Sequence, residues 1–302
     1  MKKFAIGSLI TAGVMMALGV ILAIIGTAVG GKRIIEEGVD NLLNKVSYVV
    51  GGSLGSTFSL DNMTVSFNEA YPVVDTGSIS DFEIAVGSEI TDVEIYMAKG
   101  NLEITESDTD QVGIERDGLG RFQYYVEDGT LYVLAATDCG DVSLYLPKEI
   151  TYEQYKLVVA AGEVTINTPV RAEETIINLG ACNAVIDTLE TDSLEVESGA
   201  CNLEIQSGSV SDCNINYSAS EISYTGNITG DVELAGSMGN ITLMLNGASS
   251  QFDYDIKSSW GSIDIPGVNM VGWSQKTIDN NALQNMKINA SMSNLMVDYY
   301  ID

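Results

Sequence analysis

The most reactive side chains in this 302-residue sequence are four cysteines, and two of them sit in near-identical surroundings. Cys182 stands in Gly180-Ala181-Cys182-Asn183, and Cys201 stands in Gly199-Ala200-Cys201-Asn202, 19 residues on. On adjacent turns of a repeating coil their Cα atoms would lie ~4.8 Å apart, within the span of a disulfide. The alternative is that each is a small packed residue at a tight corner. Cys139 and Cys213 read as core. None of the four belongs to a C-x-x-C pair, so zinc and dithiol redox chemistry lack their usual spacing. Histidine is absent altogether. That removes the commonest general base and zinc ligand.

Carboxylates are the other candidates. Glu106-Ser107-Asp108-Thr109-Asp110 puts three acids at alternating positions, an oxygen-rich set of the kind Ca²⁺ prefers. The stretch lacks the EF-hand loop with its turn glycine, and no calcium-binding nonapeptide repeat occurs, so a solvated turn is the better reading. A polysaccharide-cleaving β-helix would need paired carboxylates in a cleft walled by long loops. The units from Asn183 to Asn240 are uniformly short. Accordingly no catalytic residue, no cofactor-binding residue and no metal ligand is assigned.

Charge narrows the partners. The chain carries 14 Lys and Arg against 42 Asp and Glu, a net of −28. Lys2, Lys3, Lys32 and Arg33 flank an apolar N-terminal run, and no acid precedes Glu36. The rest therefore holds 10 basic and 42 acidic side chains, a net of −32. Such a surface repels phosphate backbones, which excludes nucleic acid, and it should not lie flat on anionic lipid. Solubility of a sheet-rich surface explains the charge most simply.

The positioning elements start at the N-terminus. Residues 4–31, 28 in number, carry no charge. As a helix rising ~1.5 Å per residue they exceed the ~30 Å hydrocarbon core and are expected to span a bilayer. A cleaved signal peptide ending at Ala28-Val29-Gly30 is the rival, but signal cores run only ~7–15 residues. The flanking lysines and arginine nearly balance, and the expected orientation leaves the N-terminus cytoplasmic and the remainder extracytoplasmic. Ile35, Val39, Leu42, Leu43 and Val46 keep helical spacing, so a juxtamembrane amphipathic helix is expected before the linker Gly51–Ser56. The expected domains are residues 1–33 (anchor), 34–60 (helix and linker) and 61–302 (repeats, with a C-terminal cap from about 267).

Within the repeats, Asn183, Asn202, Glu221 and Asn240 recur every 19 residues, and looser spacings add Asn101, Asp141, Glu163, Ser262 and Asn294. One residue later stands an apolar side chain (Leu102, Val142, Val164, Ala184, Leu203, Ile222, Ile241, Ile263), and three later another, such as Ile104, Ile205 or Leu243. Polar residues separate them. That is a strand with one buried face. A second strand precedes it, with Ile177, Val196, Ile215 and Leu234 in phase. Two short strands cannot bury themselves alone, but stacked units can. The expected fold is all-β: a single-stranded parallel β-helix or β-solenoid of about nine or ten coils, 19–22 residues each, after one transmembrane α-helix. A β-sandwich would not hold residue columns in phase over consecutive 19-residue units. Residues 195, 214, 233 and 255 are expected in one outward column. Trp260 falls in the small-residue column of Ala181 and Ala200, where it is expected to plug the far end of the core.

On "GDVSLYLPKE" (Gly140–Glu149), the recurring G-[N/D/E]-apolar-x-apolar units and "FDYDIKSSWGSIDIPG" (Phe252–Gly267), the chain resembles a bacterial adhesin-like β-strand-repeat family of unknown function, over residues 75–302. The resemblance implies a solenoid exposed outside a membrane, commonly behind an N-terminal anchor, and brings no catalytic residues. The expected function is a noncatalytic surface interaction, adhesion or envelope-sensing module with a protein or glycan partner. A carbohydrate-active β-helix enzyme and a Ca²⁺-stabilised scaffold are the alternatives.

Overall fold

From Asp92 to Ser107, Val93, Ile95, Leu102 and Ile104 are buried while Asn101 and Glu103 face out, the period of two that a half-buried strand requires. The computed structural model describes residues 65–301, and this alternation governs nearly all of them. The expected membrane segment, juxtamembrane helix and linker lie outside the described residues. Among the described residues no helix is long and apolar enough to cross a membrane.

Eighteen strands join in one sheet: β1 (Val74–Thr76), β2 (Ile79–Val86), β3 (Asp92–Ser107), β4 (Gln111–Asp117), β5 (Leu119–Glu127), β6 (Thr130–Pro147), β7 (Tyr152–Ile166), β8 (Val170–Ser198), β9 (Asn202–Tyr217), β10 (Glu221–Ile228), β11 (Val232–Ser237), β12 (Asn240–Asn246), β13 (Phe252–Ser259), β14 (Ser262–Ile265), β15 (Val268–Val271), β16 (Ser274–Ile278), β17 (Gln284–Ser291) and β18 (Asn294–Tyr300). The protein is all-β, with an open, solenoid-like stack. Each coil has a first arm, a corner and a second arm, and both arms pair in parallel with the coils above and below.

Along the first arms, Val133, Ile95, Leu157, Ile177, Val196, Ile215, Leu234, Ile288 and Ile256 form a file in which no side chain is more than 1 % exposed. Each burial is worth roughly 1.5–3 kcal/mol before the cost of ordering the chain. The second arms align Asp141, Asn101, Glu163, Asn183, Asn202, Glu221, Asn240, Asn294 and Ser262, the set the spacing picked out.

The order of these coils departs from the chain order at both ends. β3 lies between β6 and β7, so the later coil is the outer one. At the other end β17 and β18 enter between β11–β12 and β13–β14. Glu233 is therefore next to Lys287, bonded at 2.6 Å, and Asp255 lies one coil further out. This corrects the expected column of Glu195, Asn214, Glu233 and Asp255: a lysine intervenes and relieves the repulsion between Glu233 and Asp255.

Antiparallel strands finish each end. β4 and β5 cover the two arms of β6, with β2 on β4 and β1 on β5. β16 and β15 cover β13 and β14. The chain after Gly267 thus divides: Val268–Ile278 covers the outer edges, and Gln284–Tyr300 returns as an interior coil. Covering the outermost coils moves the sheet's edges onto short antiparallel strands, which offer less for another chain to pair with.

Candidate functional site: the corner ridge

Every coil turns between its arms through two residues just before the Asn/Asp/Glu column. The outer position reads Ala161, Ala181, Ala200, Ala219, Met238, Met292 and Trp260 over seven coils. The inner position reads Gly140, Gly100, Gly162, Cys182, Cys201, Ser220, Gly239, Ser293 and Gly261. The ridge these form changes character twice along the stack.

At the N-terminal end the turn residue in left-handed conformation is the inner glycine: Gly140 (φ 75°), Gly100 (φ 148°) and Gly162 (φ 135°). A Cβ on Gly162 would collide with the Gly100 carbonyl oxygen, and one on Gly140 with the Asp117 carbonyl. Only glycine supplies both the conformation and the space. Buried Arg116 braces this corner, donating to the carbonyls of Cys139 (3.1 Å) and Gly120 (2.7 Å) with its guanidinium 5.4 Å from the Phe122 ring centre. Gln123, fully buried, bonds the backbone of Asn68 and Tyr71 and ties the preceding segment over the end.

In the middle, the corners Gly180–Asn183, Gly199–Asn202 and Ser218–Glu221 hold no left-handed residue, and the inner position takes a thiol or hydroxyl. Cys182 Sγ and Cys201 Sγ are 3.5 Å apart, both buried. Ser198 Oγ and Ser220 Oγ are 2.6 Å apart beside them, and Ser220 donates to the Gly199 carbonyl at 3.0 Å. The Cys182 thiol and, at 3.4 Å, the Cys182 N–H favour a thiolate at Cys201 and lower that thiol from its ordinary value. The same thiol–thiol contact, and then burial, pushes Cys182 upward. Cys139 and Cys213 are buried singly, and burial raises each of them.

At the C-terminal end the left-handed residue moves to the outer position and is large and apolar: Met238 (φ 58°), Met292 (φ 50°) and Trp260 (φ 60°). A bulky side chain there costs of order 1–3 kcal/mol per residue. Trp260 is 71 % exposed. It does not plug the core as its column suggested, because this turn position faces solvent along the stack, where Ala181, Ala200 and Ala219 are exposed too. The Gly272 N–H bonds to the Gly261 carbonyl and Ser274 pairs with Ser258, so Trp273, 75 % exposed, crosses the corner beside Trp260. Val271 is exposed nearby. The repeat spacing placed Trp260 in this column but did not place the column on the solvent side, and nothing in the spacing pointed to Trp273.

Elsewhere polar side chains engage one another, and Phe82, Leu119, Leu283 and Ile301 are exposed apolar residues on the covering strands, a loop and the C-terminus. Asn101 donates to Asp141 at 2.8 Å, Asn294 to Asn240 at 3.1 Å, and Ser262 to Asn294 at 2.8 Å, an amide ladder along the second arms. Asp212 accepts from the Asp231 N–H (2.9 Å), and Asp231 accepts from the Asn285 N–H (2.7 Å), each carboxylate capping the next coil. Glu106 bonds Lys148 at 2.8 Å, while Asp108 and Asp110 sit exposed in a bend. Among the described residues no three His, Cys, Asp or Glu converge as metal ligands. A shallow recess of about 350 Å³ opens between β15 and β16, lined by Tyr254, Ile265, Val268, Lys276 and Ile278.

The Toastrack DUF4097 family model matches residues 76–295. No curated protein sequence matches the chain significantly. Three solved structures are similar to it in outline. A candidate adhesin from Parabacteroides merdae shares 12 % identity over 74 % of this chain and 94 % of its own, with a TM-score of 0.41. A candidate adhesin from Bacteroides fragilis shares 10 % over 74 % and 97 %, with a TM-score of 0.36. A candidate lipid-binding protein from Parabacteroides distasonis shares 11 % over 73 % and 96 %, with a TM-score of 0.33.

Proposed function

The chain belongs to the Toastrack DUF4097 family, and from that premise we propose that it is a noncatalytic surface-interaction module, held to the cell membrane by residues 4–31 with its repeat domain outside. The 28 uncharged residues at the N-terminus support the anchor, and the charge of −32 beyond them supports a domain that stands off anionic lipid. The observation that carries the interaction role is the C-terminal end of the ridge. There Trp260, Trp273 and Met292 are exposed together, two of them held in a backbone conformation that bulky residues avoid. Strain of that kind persists where the surrounding fold enforces it, and it gathers at contact and switch sites. Clustered exposed aromatics are the usual anchors of recognition. The partner is a neutral or cationic surface, a protein or a glycan, since an acidic one would be repelled.

The test compares the full chain in detergent with a Trp260→Ser/Trp273→Ser variant for binding to intact cells and to isolated envelope glycan. Loss of both anchors should weaken binding at least ~10-fold, the scale of two hot-spot residues. Equal binding by the variant would remove the ridge from the account. Protease shaving of intact cells tests the topology: release of fragments from beyond residue 60 is expected, and complete protection of the domain under conditions that cleave other surface proteins would contradict it.

A further inference from the structure

The paired cysteines are the one chemical feature of the ridge that the interaction role leaves unused. Three observations bear on them. Cys182 and Cys201 lie on adjacent parallel strands in register, with Asn183 paired to Asn202, so their Cβ atoms project the same way from neighbouring rungs. Their sulfurs already touch at 3.5 Å, about 1.5 Å more than a disulfide bond. Their surroundings are small: Gly180 and Gly199 precede them, exposed Ala181 and Ala200 cover them, and Ser220 continues the column. No long side chain has to leave for an oxidant to reach the corner once it opens. Cys139 and Cys213 offer a contrast, since neither has a second thiol in contact.

We infer that Cys182 and Cys201 are a built disulfide site that staples the two central coils together when the protein meets a low-molecular-weight disulfide. The exchange balances in two steps. The Cys201 thiolate attacks one sulfur of the oxidant, forming a mixed disulfide and expelling one thiolate. Cys182 then loses its proton, and its sulfur attacks Cys201 Sγ, forming the Cys182–Cys201 bond and expelling the second thiolate. Two protein thiols are oxidised and one small disulfide is reduced to two thiols. Cys201 takes the first step because the Cys182 N–H, 3.4 Å from its sulfur, is placed to stabilise the thiolate. The closed loop spans one coil, from the corner of β8 to the start of β9, so the staple acts where the coils follow chain order and no antiparallel strand braces them.

The experiment refolds the full chain from urea into detergent with oxidised glutathione, then alkylates free thiols in denaturant and maps the peptides by mass. The expected result is a Cys182–Cys201 linked peptide lighter by two hydrogens, with Cys139 and Cys213 alkylated. Its melting temperature should exceed that of the reduced chain by roughly 5–10 °C. Cys182→Ser should abolish the linked peptide, and a Cys139→Ser/Cys213→Ser variant should keep it. Four alkylated cysteines in refolded protein would overturn the inference. So would a Cys182–Cys201 link forming to the same extent in chain kept in urea, because the fold would then not be what pairs them.

Discussion

At the N-terminal end β4 and β5 cover the outer coil, and at the C-terminal end β16 and β15 do the same. Each end also holds a coil displaced from chain order, β3 in one and β17–β18 in the other. The topology is shared, but the finish differs. The N-terminal corner is made of glycines with no room for a side chain, braced by Arg116 and sealed by Gln123. The C-terminal corner places methionine and tryptophan in the left-handed position and turns them to solvent, and a recess stays open between its caps. Edge protection and surface chemistry are thus solved separately. The N-terminal corner is closed, with Phe82 and Leu119 exposed only on its covering strands, whereas the C-terminal corner itself spends stability on exposure.

The sharpest way to break that contrast is to exchange what the corners tolerate. Gly162→Val places a Cβ against the Gly100 carbonyl at a φ of 135°, and it should cost about 3 kcal/mol or more in urea unfolding, or prevent folding. A loss below about 1 kcal/mol would mean the N-terminal corner is looser than described. Next in size, Ile288→Ala tests whether the returning coil is core. It sits between Leu234 and Ile256 and is fully buried, so a loss of about 2–5 kcal/mol is expected. A surface-like change within about 0.5 kcal/mol would reduce β17 to an outer cap. At the C-terminal corner the sign reverses. Trp260→Asn should raise stability by about 0.5–1 kcal/mol, because asparagine accepts the left-handed turn, while binding falls. A destabilised variant would show that Trp260 packs rather than presents itself.

The smallest effect belongs to the middle coils. Burial, and then the neighbouring Glu195, raises the Glu197 carboxyl above its ordinary range. A carboxyl whose folded pKa exceeds its unfolded value binds protons more readily when folded. Its ionisation therefore costs the native state, and that cost grows as pH rises through the folded value. Glu197→Gln should unfold at slightly higher urea than the wild type near pH 7, and the advantage should fade towards about pH 4. A difference independent of pH would assign the effect to packing.

Much of the stack was legible in the sequence. The 19-residue spacing placed Val196, Ile215 and Leu234 in one file, put Cys182 beside Cys201, and brought Asn294 into the Asn/Asp/Glu column. Alternation reports which face of a segment is buried, and it does so residue by residue. It does not report which neighbour a segment joins, because every coil presents the same apolar face and the same backbone ladder. Hence the insertion of Gln284–Tyr300 inside the coil of Phe252–Ile265 left no mark on the pattern. Only Lys287, arriving between Glu233 and Asp255, carries a trace of it, as a charge that suits that rung. Trp260 was misread for a related reason. Its column was right, but that column lies on the solvent side of the turn, and small alanines in the middle coils are compatible with either side. The ridge as a contact surface therefore became visible only in three dimensions.

Cross-linking across the first arm tests the order of the coils directly. In a background with the four native cysteines replaced by serine, Glu233→Cys paired with Lys287→Cys should oxidise readily to an intramolecular disulfide, since these outward positions share adjacent rungs. Glu233→Cys paired with Asp255→Cys should stay reduced, because a whole coil separates them. The opposite outcome, bonding of 233 to 255 and none of 233 to 287, would mean that the coils simply follow the chain, and the returning coil would have to be abandoned.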